Sequence, residues 1–277
     1  MNKLFTKKIK ISFSYLQKRA EEKRFIEKIE NGLKNNEFKM HLQFIVDNKT
    51  KKLSSVEALS RWETSDGKVL MPGAYIGVME RSGLIAKFDY YMFDKVCAKL
   101  AQWNDSEFSH LTASCNFTRI TISDKDFVTK IKDISEKYTF EHSKLLIEIT
   151  EDSIEKNLDV AMQNIRKIKE LGFRVALDDL GSGNTALVSL CEYPIDVVKL
   201  DREVLLLTKV EKGQKLFHGI IALVHKLGLA AVCEGVETDE QNDIVSASEC
   251  DYIQGWFYSK AMPEEKAEEF ARGYGNC

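Results

Sequence analysis

From residue 39 onward, apolar residues fall in short runs separated by longer stretches with helical spacing. The runs MHLQFIV (40–46), SSVEALSRW (54–62), LTASCNF (111–117), LLIEIT (145–150), RVALDD (174–179), DVVKL (196–200), AAVCEGV (230–236) and DYIQGW (251–256) are short, apolar and largely β-branched, and read as strands. Residues 87–103, 124–137, 154–171, 213–227 and 238–248 read as helices. Strands alternating with helices predict an α/β protein with a largely parallel sheet. Eight such strand runs suit the size of a TIM-type barrel. Only DNKTKK (47–52) joins the first two runs. That is a hairpin-length turn without room for a crossover helix, so one strand is expected to enter antiparallel.

The amino-terminal stretch has a different character. Between Lys3 and Arg24 there are eight Lys/Arg and two acidic residues. Phe25, Ile26, Ile29 and Leu33 then give an amphipathic helical spacing. The chain is therefore divided into a basic lead-in arm, 1–24, and a folded domain, 25–277. The plain reading of the arm is a solvated helix docking on the domain. The functional readings are a contact to an upstream sensory or regulatory partner and a peripheral contact to an anionic membrane.

Charge and cysteine usage narrow the setting. With 40 Lys/Arg against 43 Asp/Glu the net charge is −3, so no DNA or RNA polymer is expected as a partner and any phosphate affinity must be local. No apolar run approaches the ~20 residues a membrane helix needs. The amino terminus lacks the apolar core and cleavage site of a secretory signal. Of six cysteines, none forms a C-x-x-C pair, and Cys97, Cys115, Cys191 and Cys233 sit in apolar surroundings that read as buried. A reducing, cytoplasmic location is expected.

Polar residues interrupt or end the strand runs at Glu57, Asn116, Glu148, Asp178, Asp179, Lys199, Glu234 and Gln254. In a parallel barrel the strand carboxyl ends converge on one face, so these residues would share a cavity. Each has an ordinary reading alone: Glu148 as the polar side of a half-exposed strand, Lys199 as a solvent-facing strand position, Asn116 as a cap. Together they would place five carboxylates and one lysine where helices cover the strands outside and side chains fill them inside. Buried charges of that kind cost several kcal/mol each unless paired or metal-bound. Hard oxygen donors suit Mg²⁺, Mn²⁺ or Ca²⁺ rather than zinc. The histidines at 41, 110, 142, 218 and 225 show no ligand spacing.

The motifs EALSRW (57–62), CNFT (115–118), IEITE (147–151), LDDLGSG (177–183), VVKLD (197–201), CEGVET (233–238) and IQGW (253–256) together resemble, in order and spacing, the EAL domains of bacterial cyclic di-GMP phosphodiesterases. The resemblance covers roughly residues 25–272. It implies a modified TIM (β/α)8-type barrel with the first strand antiparallel, and two Mg²⁺ or Mn²⁺ ions. Glu57, Asn116, Glu148 and Asp178 match the ligands of one ion. Asp178 and Asp179 match those of the other, assisted by Glu234 and Gln254. Lys199 matches the catalytic lysine, acting with Glu57 and Glu234. Gln43, Leu59, Arg61 and Gln254 match substrate contacts, Arg61 toward a phosphate. Glu151, Gly181 and Gly183 match a lid and its anchor. The implied reaction is hydrolysis of cyclic di-GMP to linear pGpG, by a homodimer. Leu180 and Asn184-Thr185-Ala186 replace the Phe and Tyr-Ser-Ser usual in the lid, and Gln43-Phe44 replaces Gln-Pro. The alternative reading is a catalytically weak or inactive cyclic di-GMP receptor that signals through a protein partner. Read without the family, the same acids and lysine also suit a Mg²⁺-dependent enolisation barrel.

Overall fold

The computed structural model describes residues 19–150, 158–181 and 189–274. By its contacts the chain divides into two compact units, one of residues 1–39 with 60–88 and one of residues 40–59 with 89–277.

The second unit contains the barrel. Strands β1 (Phe38–Asp47), β2 (Leu53–Glu63), β4 (Thr112–Phe117), β5 (Leu145–Thr150), β6 (Arg174–Leu180), β7 (Val197–Leu200), β8 (Ala230–Cys233) and β9 (Tyr252–Gln254) form a ring in the order β1-β9-β8-β7-β6-β5-β4-β2, closed by pairing of β2 with β1. The two-residue strands β3 (Val69–Leu70) and β10 (Met262–Pro263) extend β2 and β1. From β2 through β9 the ring pairs are all parallel, while β1 runs antiparallel to β9. The barrel with an antiparallel first strand is thus present as expected.

The strands form where β-branched residues cluster, and they stop where the pattern does. β8 ends at Cys233, three residues short of the expected 236, because Gly235 turns to φ +70°. Helices Ile85–Trp103, Leu158–Glu170, Glu211–Lys226 and Asp239–Ser246 follow the expected stretches within a few residues. The stretch 124–137 is shorter, a helix over Phe127–Ser135.

The floor of the barrel is apolar. Ile45, Ala176, Val197 and Val232 form a buried cluster against which Leu146, Ala230 and Tyr252 pack. These residues come from six strands, β1, β5, β6, β7, β8 and β9, so they meet only inside the ring. Cys97, Cys115 and Cys233 are buried as expected. Cys191 is not: it lies exposed on the one-turn helix Ser189–Glu192, and Cys250 is buried in its stead.

The first unit has its own aromatic core. Residues 19–34 are helical, and Phe38 stacks on Trp62 at 5.0 Å and meets Tyr75 and Phe88 edge-on at 5.2 and 5.3 Å. Trp62 Nε1 donates to Glu37 at 2.8 Å, satisfying the buried indole N–H. The basic arm up to residue 18 lies outside the described residues. Among the described residues, no helix is long and apolar enough to cross a membrane.

Candidate active site

Strand side chains alternate between faces, so a residue two positions from an inward one also points inward. That step lifts the chain from the apolar floor into a charged layer. On the parallel strands it leads from Leu146 to Glu148, from Ala176 to Asp178, from Val197 to Lys199, from Val232 to Glu234 and from Tyr252 to Gln254. On β1 the same step runs backward along the sequence, from Ile45 to Gln43, because that strand runs the other way. One periodicity therefore delivers six polar side chains, five from strands and Glu234 from one residue past the end of β8, to one end of the barrel.

Asp179 breaks this rule, since the neighbour of an inward residue should face outward. The pairing of β6 with β7 shifts register between Leu177 and Leu180, and Asp179 adopts φ +61°. An irregularity of this kind re-aims a side chain beside a functional site. Aspartate is among the few residues that tolerate the left-handed region. The outcome is that one oxygen each of Asp178, Asp179 and Glu234 lie within 4.8 Å of one another. The Asp179 backbone N–H also donates to Asp178 Oδ1 at 3.0 Å.

Lys199 stands at the centre of the charged layer and is 1% exposed. Its ammonium lies 2.7 Å from Glu234, 3.1 Å from Glu148, 3.2 Å from Asp178 and 3.4 Å from Glu57. Asn116 donates to Glu57 Oε1 at 2.9 Å, and Gln254 donates to Glu57 Oε2 at 2.6 Å. The readings of Lys199 and Glu148 as solvent-facing strand positions are overturned, because both are buried.

The electrostatics follow from this crowding. Burial works against ionisation of Glu57, but the Lys199 charge and the hydrogen bonds from Gln254 and Asn116 outweigh it and hold its carboxyl below the usual range. For the other acids burial wins, reinforced by neighbouring carboxylates. Glu148 is pushed well up, Asp178 up, Glu234 to about 8 and Asp179 to about 6. Lys199 is drawn the other way: burial disfavours its charge, but the surrounding acids hold its proton far more tightly than usual.

Five acids around one lysine leave a surplus of negative charge, which the fold meets by raising proton affinity. A hard divalent cation would meet it instead. Two observations fit such an ion. Gln254 Oε1 is a buried acceptor with no hydrogen-bond partner among the described residues. Among the described residues, seven of those lining the cavity carry side-chain oxygens and none is a histidine or cysteine.

The cavity measures about 370 Å³, and all its lining residues belong to the second unit. Gln43, Glu57, Leu59, Asp178, Asp179, Lys199, Glu234 and Gln254 line it. Asn116 and Glu148 join through their contacts to Glu57 and Lys199. Arg61 belongs to the first unit, where it is buried and donates to the Ser60 carbonyl at 2.8 Å. Glu151, Gly183 and Asn184-Thr185-Ala186 lie outside the described residues. Gly181 is described: φ is +102°, and a Cβ there would fall 2.2 Å from Val204.

Sequence reasoning did not assign Arg202, Glu237 and Trp256, which line the rim. Arg202 clamps Glu237 with two 2.8 Å bonds. Glu237 and Trp256 lie inside quoted motifs, and Arg202 follows the Lys199 motif directly, so position was the only available signal. Asp89 also escaped notice. Buried on the helix Ile85–Trp103, it accepts hydrogen bonds from Thr118 N at 3.0 Å, Thr118 Oγ1 at 2.8 Å and Thr121 Oγ1 at 2.6 Å, fixing the turn just after Asn116.

The sequence profile of the EAL domain matches residues 26–261, and the chain belongs to the EAL domain family. It is 32% identical over 243 residues to the signaling protein YkoW of Bacillus subtilis, covering 87% of this chain and 30% of that protein. It is 27% identical over 260 residues to the cyclic di-GMP phosphodiesterase NbdA of Pseudomonas aeruginosa, covering 94% and 33%. The chain thus spans about a third of the length of these relatives. The crystal structure of an EAL domain protein from Listeria monocytogenes EGD-e superposes with a TM-score of 0.76 at 29% identity, covering 91% of this chain and 98% of that one. The PaMucR phosphodiesterase in complex with c-di-GMP shares the fold, with a TM-score of 0.82 at 24% identity over 88% of this chain and 99% of that one.

Proposed function

We propose that this chain hydrolyses cyclic di-GMP to linear pGpG with the help of two divalent cations, Mg²⁺ or Mn²⁺. The observation that carries the reading is a buried lysine within 3.4 Å of four carboxylates, at the strand ends of a barrel whose family includes proteins named cyclic di-GMP phosphodiesterases. We assign Glu57, Asn116, Glu148 and Asp178 to one ion. Asp178 and Asp179 are assigned to the second, with Glu234 and Gln254 beside it. When bound, such ions lower the pKa of water and stabilise charge on attacking and leaving oxygens.

The remaining work falls to side chains. The surrounding acids favour the ammonium form of Lys199, and in that form it is assigned to donate, offsetting the charge that builds on the phosphoryl oxygens. Glu57 stays ionised, and the amides of Asn116 and Gln254 fix its orientation. Glu234, which would give up its own proton when the ions bind, is assigned the proton released as water attacks phosphorus, and that proton returns through solvent to the 3′-oxygen as the P–O bond to it breaks. Gln43 and Leu59 are assigned to the substrate from the opposite wall, and Arg61 to a phosphate. Gly181 and Gly183 are assigned to the lid, anchored by Glu151. The same reading expects a homodimer in the cytoplasm, with any upstream sensory partner engaged through the arm at 1–24.

The test is incubation with cyclic di-GMP and Mg²⁺ or Mn²⁺, followed by chromatography. The expected product is pGpG, lost in Lys199→Met. Tight binding without turnover in either metal would replace this reading with a cyclic di-GMP receptor.

A further inference from the structure

Strand register brings the loops after β7 and β8 together. Leu200 pairs with Cys233 at the ends of these parallel strands, so Asp201-Arg202 leaves the barrel beside Glu234-Gly235. The second loop is tied down by its backbone at three places. Glu234 N donates to the Leu200 carbonyl at 3.0 Å, Val236 N to the Gln254 carbonyl at 3.2 Å, and Glu237 N to Gln241 Oε1 at 2.8 Å. Gly235, between them, is held by packing. It turns at φ +70°, and a Cβ there would fall 2.5 Å from Arg202 Cβ, 2.6 Å from its Cγ and 3.0 Å from its Cδ. The stem of one arginine therefore lies on the backbone that joins Glu234 to Val236, an approach that glycine permits.

The head of the same side chain closes the other end of the loop. Nη1 and Nη2 of Arg202 donate to Oε1 and Oε2 of Glu237, both at 2.8 Å. A two-bond fork fixes direction as well as distance. Glu237 is itself anchored by Gln241, the residue that completes the capping box of helix Asp239–Ser246. Arg202 thus brackets the loop from 235 to 237. The two side chains are 49% and 26% exposed, and an ion pair this open contributes little to global stability. Its geometry is what matters, and what it borders is Glu234. Arg202 also lines the cavity, but both its terminal nitrogens are committed to Glu237, so the fork serves the protein rather than a ligand.

We infer that Arg202 is a positioning residue for the proposed reaction: by gripping Gly235 with its stem and Glu237 with its fork, it keeps Glu234 where one carboxylate oxygen meets those of Asp178 and Asp179. The inference rests on the proposed reading of the site and adds the group that sets Glu234. Arg202 touches no reacting atom and acts only through the loop. Outer partners of this kind govern metal affinity by orienting the groups that meet the ion.

The experiment is a double-mutant cycle on the full chain. Arg202→Met keeps the stem over Gly235 and removes the fork, while Glu237→Gln keeps the shape and removes the charge. Mn²⁺ affinity is measured by calorimetry without nucleotide, kcat and KM with cyclic di-GMP, and Tm in EDTA. Each single variant is expected to bind Mn²⁺ about 10- to 100-fold more weakly and to lose kcat at nearly constant KM. Tm in EDTA is expected to stay close to the parent's. The double variant is expected to be no worse than the weaker single one, because the two side chains act as one unit. Arg202→Lys restores the charge without the fork and is expected to recover only part of the loss. Additive losses, or a Tm that falls in step with Mn²⁺ affinity, overturn the positioning role. So does a rise in KM confined to Arg202→Met, which makes Arg202 a direct substrate contact. Mn²⁺ binding by the parent without turnover overturns the proposed function, and the Mn²⁺ affinities of the variants still decide the clamp. Absence of Mn²⁺ binding by the parent overturns both.

Discussion

Replacing Lys199 by methionine keeps most of the buried stem and removes the only positive charge among the described residues within 3.4 Å of Glu57, Glu148, Asp178 and Glu234. Those carboxylates have side-chain exposures of 8, 0, 12 and 19%, so water cannot take over the role of the ammonium. Breaking a buried charge pair from one side costs about 3–5 kcal/mol. The acids can recover part of that by binding protons. Glu234 titrates near 8 and Asp179 near 6, both raised first by burial. An acid whose folded pKa is raised binds more protons in the folded than in the unfolded chain, so stability falls as pH rises through that window and recovers as pH drops. One additional proton held between pH 8 and pH 6 is worth at most ~2.7 kcal/mol. In EDTA, Lys199→Met is therefore expected to be less stable than the parent by about 4 kcal/mol at pH 8 and by only ~1–2 at pH 6. For a chain of this size the pH 8 deficit corresponds to a Tm lowered by about 8 °C or more. Thermal unfolding by circular dichroism at the two pH values reads it directly. Equal stability at pH 8, or a deficit that does not shrink at pH 6, would refute the account of Lys199 as the neutralising centre.

Three further outcomes are expected. On the proposed reading Mg²⁺ would compete with protons on Asp178, Asp179 and Glu234, so it should raise Tm more at pH 8 than at pH 6, and calorimetry in buffers of different ionisation enthalpy should detect proton release. Gly181→Ala places a Cβ 2.2 Å from Val204 at φ +102° and is expected to cost roughly 1–3 kcal/mol, with activity falling further than stability because Asp179 lies two residues away. Asp89→Asn keeps the shape but weakens the acceptor for three hydrogen bonds behind Asn116; Mg²⁺ affinity by calorimetry is expected to drop, and an unchanged affinity would show that the turn holds itself.

The barrel was legible because its strands are apolar runs bounded by polar turns, and because a six-residue link cannot hold a crossover helix. The charged layer was legible for the same reason: Glu148, Asp178, Lys199 and Glu234 interrupt strands that should be apolar on both faces. The two-residue strands Val69–Leu70 and Met262–Pro263 are too short to leave a period. The carboxy-terminal helix Glu264–Gly273 buries only Ala267 among its described positions, so little apolar spacing announces it. Cys191 misled because its apolar neighbours in sequence are not its neighbours in space. The rim was hidden most deeply, since the Arg202–Glu237 clamp spans 35 residues and the exposure of Trp256 depends on a turn pinned to β1.

Position 179 answers to two separate demands. Its backbone must occupy a left-handed conformation that most side chains resist, while its carboxylate must face the cavity beside Asp178. Glycine or asparagine meets the first demand and not the second, and glutamate meets the second at a conformational penalty. Very few substitutions at this position are therefore neutral, and those that preserve the fold are the ones that, on the proposed reading, remove a metal ligand. On that reading a folded, soluble variant at 179 is no sign of a working one, and the path by which such a barrel drifts from enzyme to binder can open with a single exchange at this position.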